Sequence, residues 1–153
     1  MPLLIGLAGI LIVIYFHLES KPGFVNYSTL QSGNLNEAQK HAVTMAVELN
    51  KFIISINTLM FGVLGFFINH YKKEIQVKRV AFAYFLSLIL LALTFYYSFR
   101  VYSQLTSDLA QNAFAMTPKT SKVLYYLEMA FWSFASSSSV LLSIFISVFI
   151  ARK

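Results

Sequence analysis

The sequence predicts an all-α membrane protein with four transmembrane helices, three of them long and extending as an outer helical stalk. Three stretches carry this reading: Phe52–Ile68, Val80–Phe99 and Met129–Ile150. A bilayer span needs about 20 mostly apolar residues, with a floor near 17. Mean hydropathy is +0.66 and charged residues are 12% of the chain, too few to cover a soluble globule. With 153 residues the chain is a single domain, with spans near 3–18, 52–69, 80–99 and 129–150.

The first element, Leu3–Phe16, reaches span length only with its flanks. It lacks a basic n-region, and His17-Leu18-Glu19-Ser20 offers no small-x-small cleavage site, so it reads as an uncleaved signal anchor. Lys21-Pro22-Gly23 and Gln31-Ser32-Gly33 then break an irregular loop. Asn26-Tyr27-Ser28 inside it matches a glycosylation sequon, a weak three-residue signal.

Asn34, with Glu37 three residues on, opens the second helix in a capping-box pattern. Apolar residues follow in steps of three and four: Leu35, Ala38, Ala42, Met45, Leu49, Phe52, Ile56, Leu59, Val63 and Phe66. This heptad seam passes the charged boundary at Lys51 without a proline. One helix from Asn34 to Tyr71 is expected, roughly 55 Å long, with the seam filling the core. The third helix runs from Val77 through Arg100 to Ala113. Thr117-Pro118 supplies a cap and first turn for the fourth, making a hairpin with its tip at Asn112–Thr117.

A tip near residue 115 pairs Asp108 with Lys122 and brings Arg100 close to Glu128. A turn near Glu74–Ile75 on the other side completes two polar layers, Ser55/Thr94/Ser136 and Gly62/Ser87/Ser143. Basic residues cluster at Lys72, Lys73, Lys78 and Arg79 and at Arg152-Lys153. The positive-inside rule therefore puts this turn and both termini in the cytoplasm, with a cell inner membrane the expected site. The net charge of +6 is a topology signal and calls for no nucleic acid.

The last helix carries Ser136-Ser137-Ser138-Ser139 and a ridge of Ser139, Ser143 and Ser147 between Ala135 and Ala151. Such spacing lets two helix backbones approach closely, or lines an aqueous path. Asn57 lies on a second stripe of the second helix with Asn50, Ile54, Phe61, Leu64 and Ile68. An amide in hydrocarbon needs a partner. That partner is a symmetry copy or, within the chain, a hydroxyl or a neighbouring helix's backbone. With the seam assigned to the core, the Asn57 stripe or the serine ridge is expected to face another copy.

Glu37, His41, Thr44 and Glu48 share one helix face, which a solvated surface explains better than a metal, since no second His is near. No Cys is present, and no span centre holds an Asp, Glu, Lys or His. No catalytic residue, cofactor or metal is expected. The sequence points to a non-enzymatic multi-pass protein among lipids, assembling with copies of itself as a pore, channel or membrane sensor/effector. The alternative is an accessory or structural subunit meeting other membrane subunits in a larger complex.

Overall fold

The structure, a computed structural model, describes residues 2–19, 37–71, 78–110 and 121–151. They form four α-helices: α1 Pro2–Glu19, α2 Glu37–His70, α3 Lys78–Ala110 and α4 Lys122–Ala151. The last three have 34, 33 and 30 residues and are long and apolar enough to cross a membrane, whereas α1 is shorter. Each contains a long apolar run, and no internal proline breaks the helix where polar residues extend it.

The helices alternate in direction. Ser87 of α3 meets Ser137 of α4, and Arg100 meets Tyr126. Asn50 and Asn57 of α2 reach back to Ser98 and Leu91 of α3. Gly9 of α1 lies on Ser136, with His17 at Tyr125. The α3–α4 hairpin is the centre and carries the fully buried Leu90, Leu91, Met129, Ala130 and Val140. Both α1 and α2 pack against both hairpin helices. Of the three long helices α2 is the least enclosed, with 22% of its most apolar window buried against 39% and 44% for α3 and α4.

Close approach of α1 depends on its glycines. A Cβ on Gly9 would lie 2.9 Å from the Ser136 Cβ, and one on Gly6 would lie 2.3 Å from the Leu86 Cδ2. Small residues at such crossings let side chains of the neighbour sit against backbone. Phe16 stacks on Trp132 at 4.4 Å near the other end of α1.

Three sequence expectations change here. The cap of α4 is Ser121, whose Oγ accepts from the Leu124 amide at 3.2 Å; the expected Thr117-Pro118 cap lies outside the described residues. The α3–α4 register also differs. Ser87 meets Ser137 rather than Ser143, and Arg100 donates to the Tyr126 hydroxyl at 3.0 Å rather than to Glu128. The hairpin register depends on where its tip falls, and residues 111–120 are outside the described set. Among the described residues the close ion pair is Lys51 with Glu48 at 3.0 Å. Asp108 accepts from Gln104 at 2.6 Å, and the charge of Lys122 also acts on it.

The third change is the rotation of α2. The heptad seam faces outward: Met45 is 73% exposed, Phe52 62% and Leu59 65%, while Asn50 and Asn57 are fully buried. Ala46, Ile53, Leu64 and Phe67 share the inward face with the two asparagines. The expected polar layers dissolve with it. Ser55 is exposed and bonds its own helix at Lys51, and Gly62 has open space where a Cβ would be.

Candidate functional site

The inward stripe of α2 makes a polar ladder with α3. Asn50 Nδ2 donates to the Ser98 carbonyl at 3.0 Å and Asn57 Nδ2 to the Leu91 carbonyl at 3.1 Å. Tyr84 of α3 returns a hydroxyl to the Leu64 carbonyl at 3.3 Å. Residues 50, 57 and 64 therefore meet 98, 91 and 84. Each rung is seven residues from the next, about 10 Å along the helix axis. The acceptors are helix carbonyls, each using a second lone pair beside its own helical bond.

On its other side α3 continues the polar column into α4. The Ser87 and Ser137 hydroxyls lie 3.0 Å apart, and Ser137 Oγ also reaches the Ser87 carbonyl at 3.3 Å. Thr94 turns its hydroxyl back to the Leu90 carbonyl. Ser98 and Ser133 are fully buried. At one end of the column the Arg100 guanidinium lies over the Tyr126 ring, 5.1 Å from its centroid. At the other, Phe67 packs edge-on against Phe145 at 3.9 Å, closing the column with apolar rings.

The serine ridge goes elsewhere. Ser136 donates to the Gly9 carbonyl of α1 at 3.3 Å. Ser139 is exposed and bonds the Ala135 carbonyl, and Ser147 bonds that of Ser143, itself buried. An open groove of ≈ 240 Å³ runs between α1 and α4, with Gly9, Trp132, Ser136 and Ser139 on its walls. The sequence-derived site residues are thus dispersed. Asn57 belongs to the α2–α3 ladder, Ser136 to the α1 contact, and Ser139, Ser143 and Ser147 to the inner and outer faces of α4.

Sequence reading did not find the Tyr84 rung, the Ser87–Ser137 pair or the burial of Ser98 and Ser133. The signal available was the seven-residue step shared by Asn50 and Asn57, matched by the step between Leu91 and Ser98. Among the described residues no group of three or more His, Cys, Asp or Glu converges as a metal site. Glu37 and His41 are exposed, and Thr44 bonds the Lys40 carbonyl.

Fold and column together define a helical bundle with three helices able to span a membrane and a polar seam buried among them. No protein-family model matches the sequence, and no curated protein or solved structure matches it.

Proposed function

We propose that the protein is a non-enzymatic integral membrane protein that assembles with copies of itself through α2, acting as a pore, channel or membrane sensor. The observation that carries this reading is the outward heptad seam. Met45, Leu49, Phe52, Ile56, Leu59, Val63 and Phe66 keep a strict alternation of three and four, with Ile56 and Val63 half-buried and the other five exposed among the described residues. Lipid has no use for that period, since any apolar surface satisfies it. A parallel copy of the same helix does, because knobs at this spacing interlock.

Two features favour a second copy. The seam does not stop at the Glu48–Lys51 pair but continues to Met45, on a stretch of α2 that also carries the exposed Glu37, Lys40, His41 and Glu48. Next to it runs a stripe of small exposed residues, Ser55, Thr58, Gly62 and Gly65, with open space at both glycines. Large Phe52, Leu59 and Phe66 beside small Ser55, Gly62 and Gly65 make a self-complementary surface, as an isologous contact requires. Met45, Leu49, Phe52, Leu59 and Phe66 together expose roughly 600 Å² per copy, close to the ~800 Å² that each partner in a stable complex buries.

The chain has no cysteine, so a Leu59→Cys variant carries a single thiol on the seam. Oxidation in membranes should give a disulfide-linked dimer, and the detergent-extracted particle should have the mass of a whole multiple of the chain. A monomeric particle with no cross-link would end the assembly reading. A mixed particle would move the protein to the accessory-subunit class.

A further inference from the structure

We propose that the buried column between α2, α3 and α4 is a binding site for internal water, at two layers: Asn50 with Ser98, and Asn57 with Ser133. Among the described residues, the buried side-chain polar atoms without a hydrogen-bond partner are Asn50 Oδ1, Asn57 Oδ1, Ser98 Oγ, Arg100 Nε and Ser133 Oγ. Four of them belong to residues at two levels of this column, and Arg100 Nε lies at its end. Buried polar groups in folded proteins are satisfied with few exceptions, so their concentration in one place points to a ligand.

The orientation of each amide follows from its bond. Nδ2 faces a backbone carbonyl, and flipping the amide would set oxygen against oxygen. Each Oδ1 therefore faces away from α3 and can only accept. In the first layer the unpartnered Ser98 hydroxyl belongs to the residue whose carbonyl already holds Asn50. In the second, the register set by Ser87 and Ser137 carries Ser133 one turn along α4, level with Leu91. That is the residue whose carbonyl holds Asn57. Both layers thus offer an acceptor and a hydroxyl that do not meet, together with a carbonyl already in use. Water, with two donors and two acceptors, fits two to four polar partners of this kind.

The chemistry favours water over a cation. Neither layer contains a carboxylate, and a bare cation among neutral oxygens in a low-dielectric interior lacks a counter-charge. Arg100 at one end repels it further. The column has a dry limit, because Ser87 and Ser137 satisfy each other and Phe67 and Phe145 close the end beyond them. With water in the two layers, α2 is the helix that parts from the hairpin most readily. This inference is independent of the assembly reading, since both layers lie within one chain.

Water-edited solid-state NMR on the unsubstituted protein in bilayers tests it. Magnetisation from water should reach the Asn50 and Asn57 side-chain amides several-fold faster than the Leu90 backbone amide in the dry hairpin contact. Equal rates would overturn the proposal. Ser98→Ala should slow the transfer to Asn50 and leave Asn57 unchanged, and Ser133→Ala the reverse. If each substitution leaves both rates unaltered, the two layers as assigned are wrong.

Discussion

The two outer helices, α1 and α2, hold the same α3–α4 hairpin by opposite means. α1 is attached by shape: Gly6 and Gly9 remove side chains so that Leu86 and Ser136 sit against its backbone. α2 is attached by polarity, with rungs at Asn50, Asn57 and Tyr84 spaced seven residues apart. α2 has glycines too, but Gly62 and Gly65 face open space. Close packing over a long contact leaves little to rearrange. A ladder of single hydrogen bonds, each worth about 0.6 kcal/mol and at most ~1.7 between membrane helices, holds direction and register at much lower cost to undo.

The largest effect should come from filling the α1 contact. Gly9→Leu forces α1 away from the Ser136 backbone and should lose about 1–3 kcal/mol, as overpacked cores do. Gly62→Leu, the same change on α2, should cost the monomer nothing. Thermal unfolding in detergent checks both, and similar losses at the two glycines would erase the distinction between the helices.

Next comes the ladder. Asn57→Ala should lose about 1–2 kcal/mol, combining a rung with a small cavity. Asn57→Leu should lose clearly less, because it removes the same amide but fills the buried space that Ala leaves empty. Chemical denaturation of the two variants distinguishes them. If Leu costs as much as Ala, the amide bond itself is what anchors α2.

A smaller change is expected where α1 has its own polar contact, between His17 Nδ1 and the Tyr125 hydroxyl. Tyr125→Phe removes that bond but leaves the ring and the Phe16–Trp132 stack in place. It should cost about 0.5–1.5 kcal/mol, read as a lowered midpoint of unfolding. A loss as large as that of Gly9→Leu would mean that shape is not what holds α1.

The smallest effect is a pH dependence at Asp108, on the part of α3 beyond Phe99. Burial raises its pKa above the ordinary carboxylate value, while the Gln104 bond and Lys122 pull it down less strongly. The protonated form is thus favoured in the folded state. Its contribution to stability is complete below the unfolded-state pKa and is lost as pH rises through the folded one. Asp108→Asn should flatten the pH profile in that acidic window and leave neutral-pH stability unchanged or higher by about 0.5 kcal/mol. A variant less stable at neutral pH would show that the Gln104 contact outweighs burial.

Much of the architecture was legible locally. Apolar runs and the absence of proline set the number and length of the helices, and both depend only on neighbouring residues. The α2–α3 register was nearly legible as well, since a short connection leaves little choice: Ser55 was expected near Thr94, and Asn57 is found at Leu91. The α3–α4 register was less so, and Glu128 lost Arg100 to Tyr126 because the longer connection leaves the slide of one helix along the other open.

The sequence by itself determined that α2 carries two stripes, one apolar and one with Asn50 and Asn57, both stepping by threes and fours. Tertiary structure alone decided which faces inward. In water the apolar stripe would be driven into the core, and that logic placed the seam there. The membrane setting proposed above accounts for the reverse: in a lipid solvent, Leu and Phe lose little by facing outward, whereas an amide finds partners only among other helices. The ladder therefore turns in and the heptad seam turns out, a rotation about the helix axis that periodicity cannot specify and neighbouring carbonyls can.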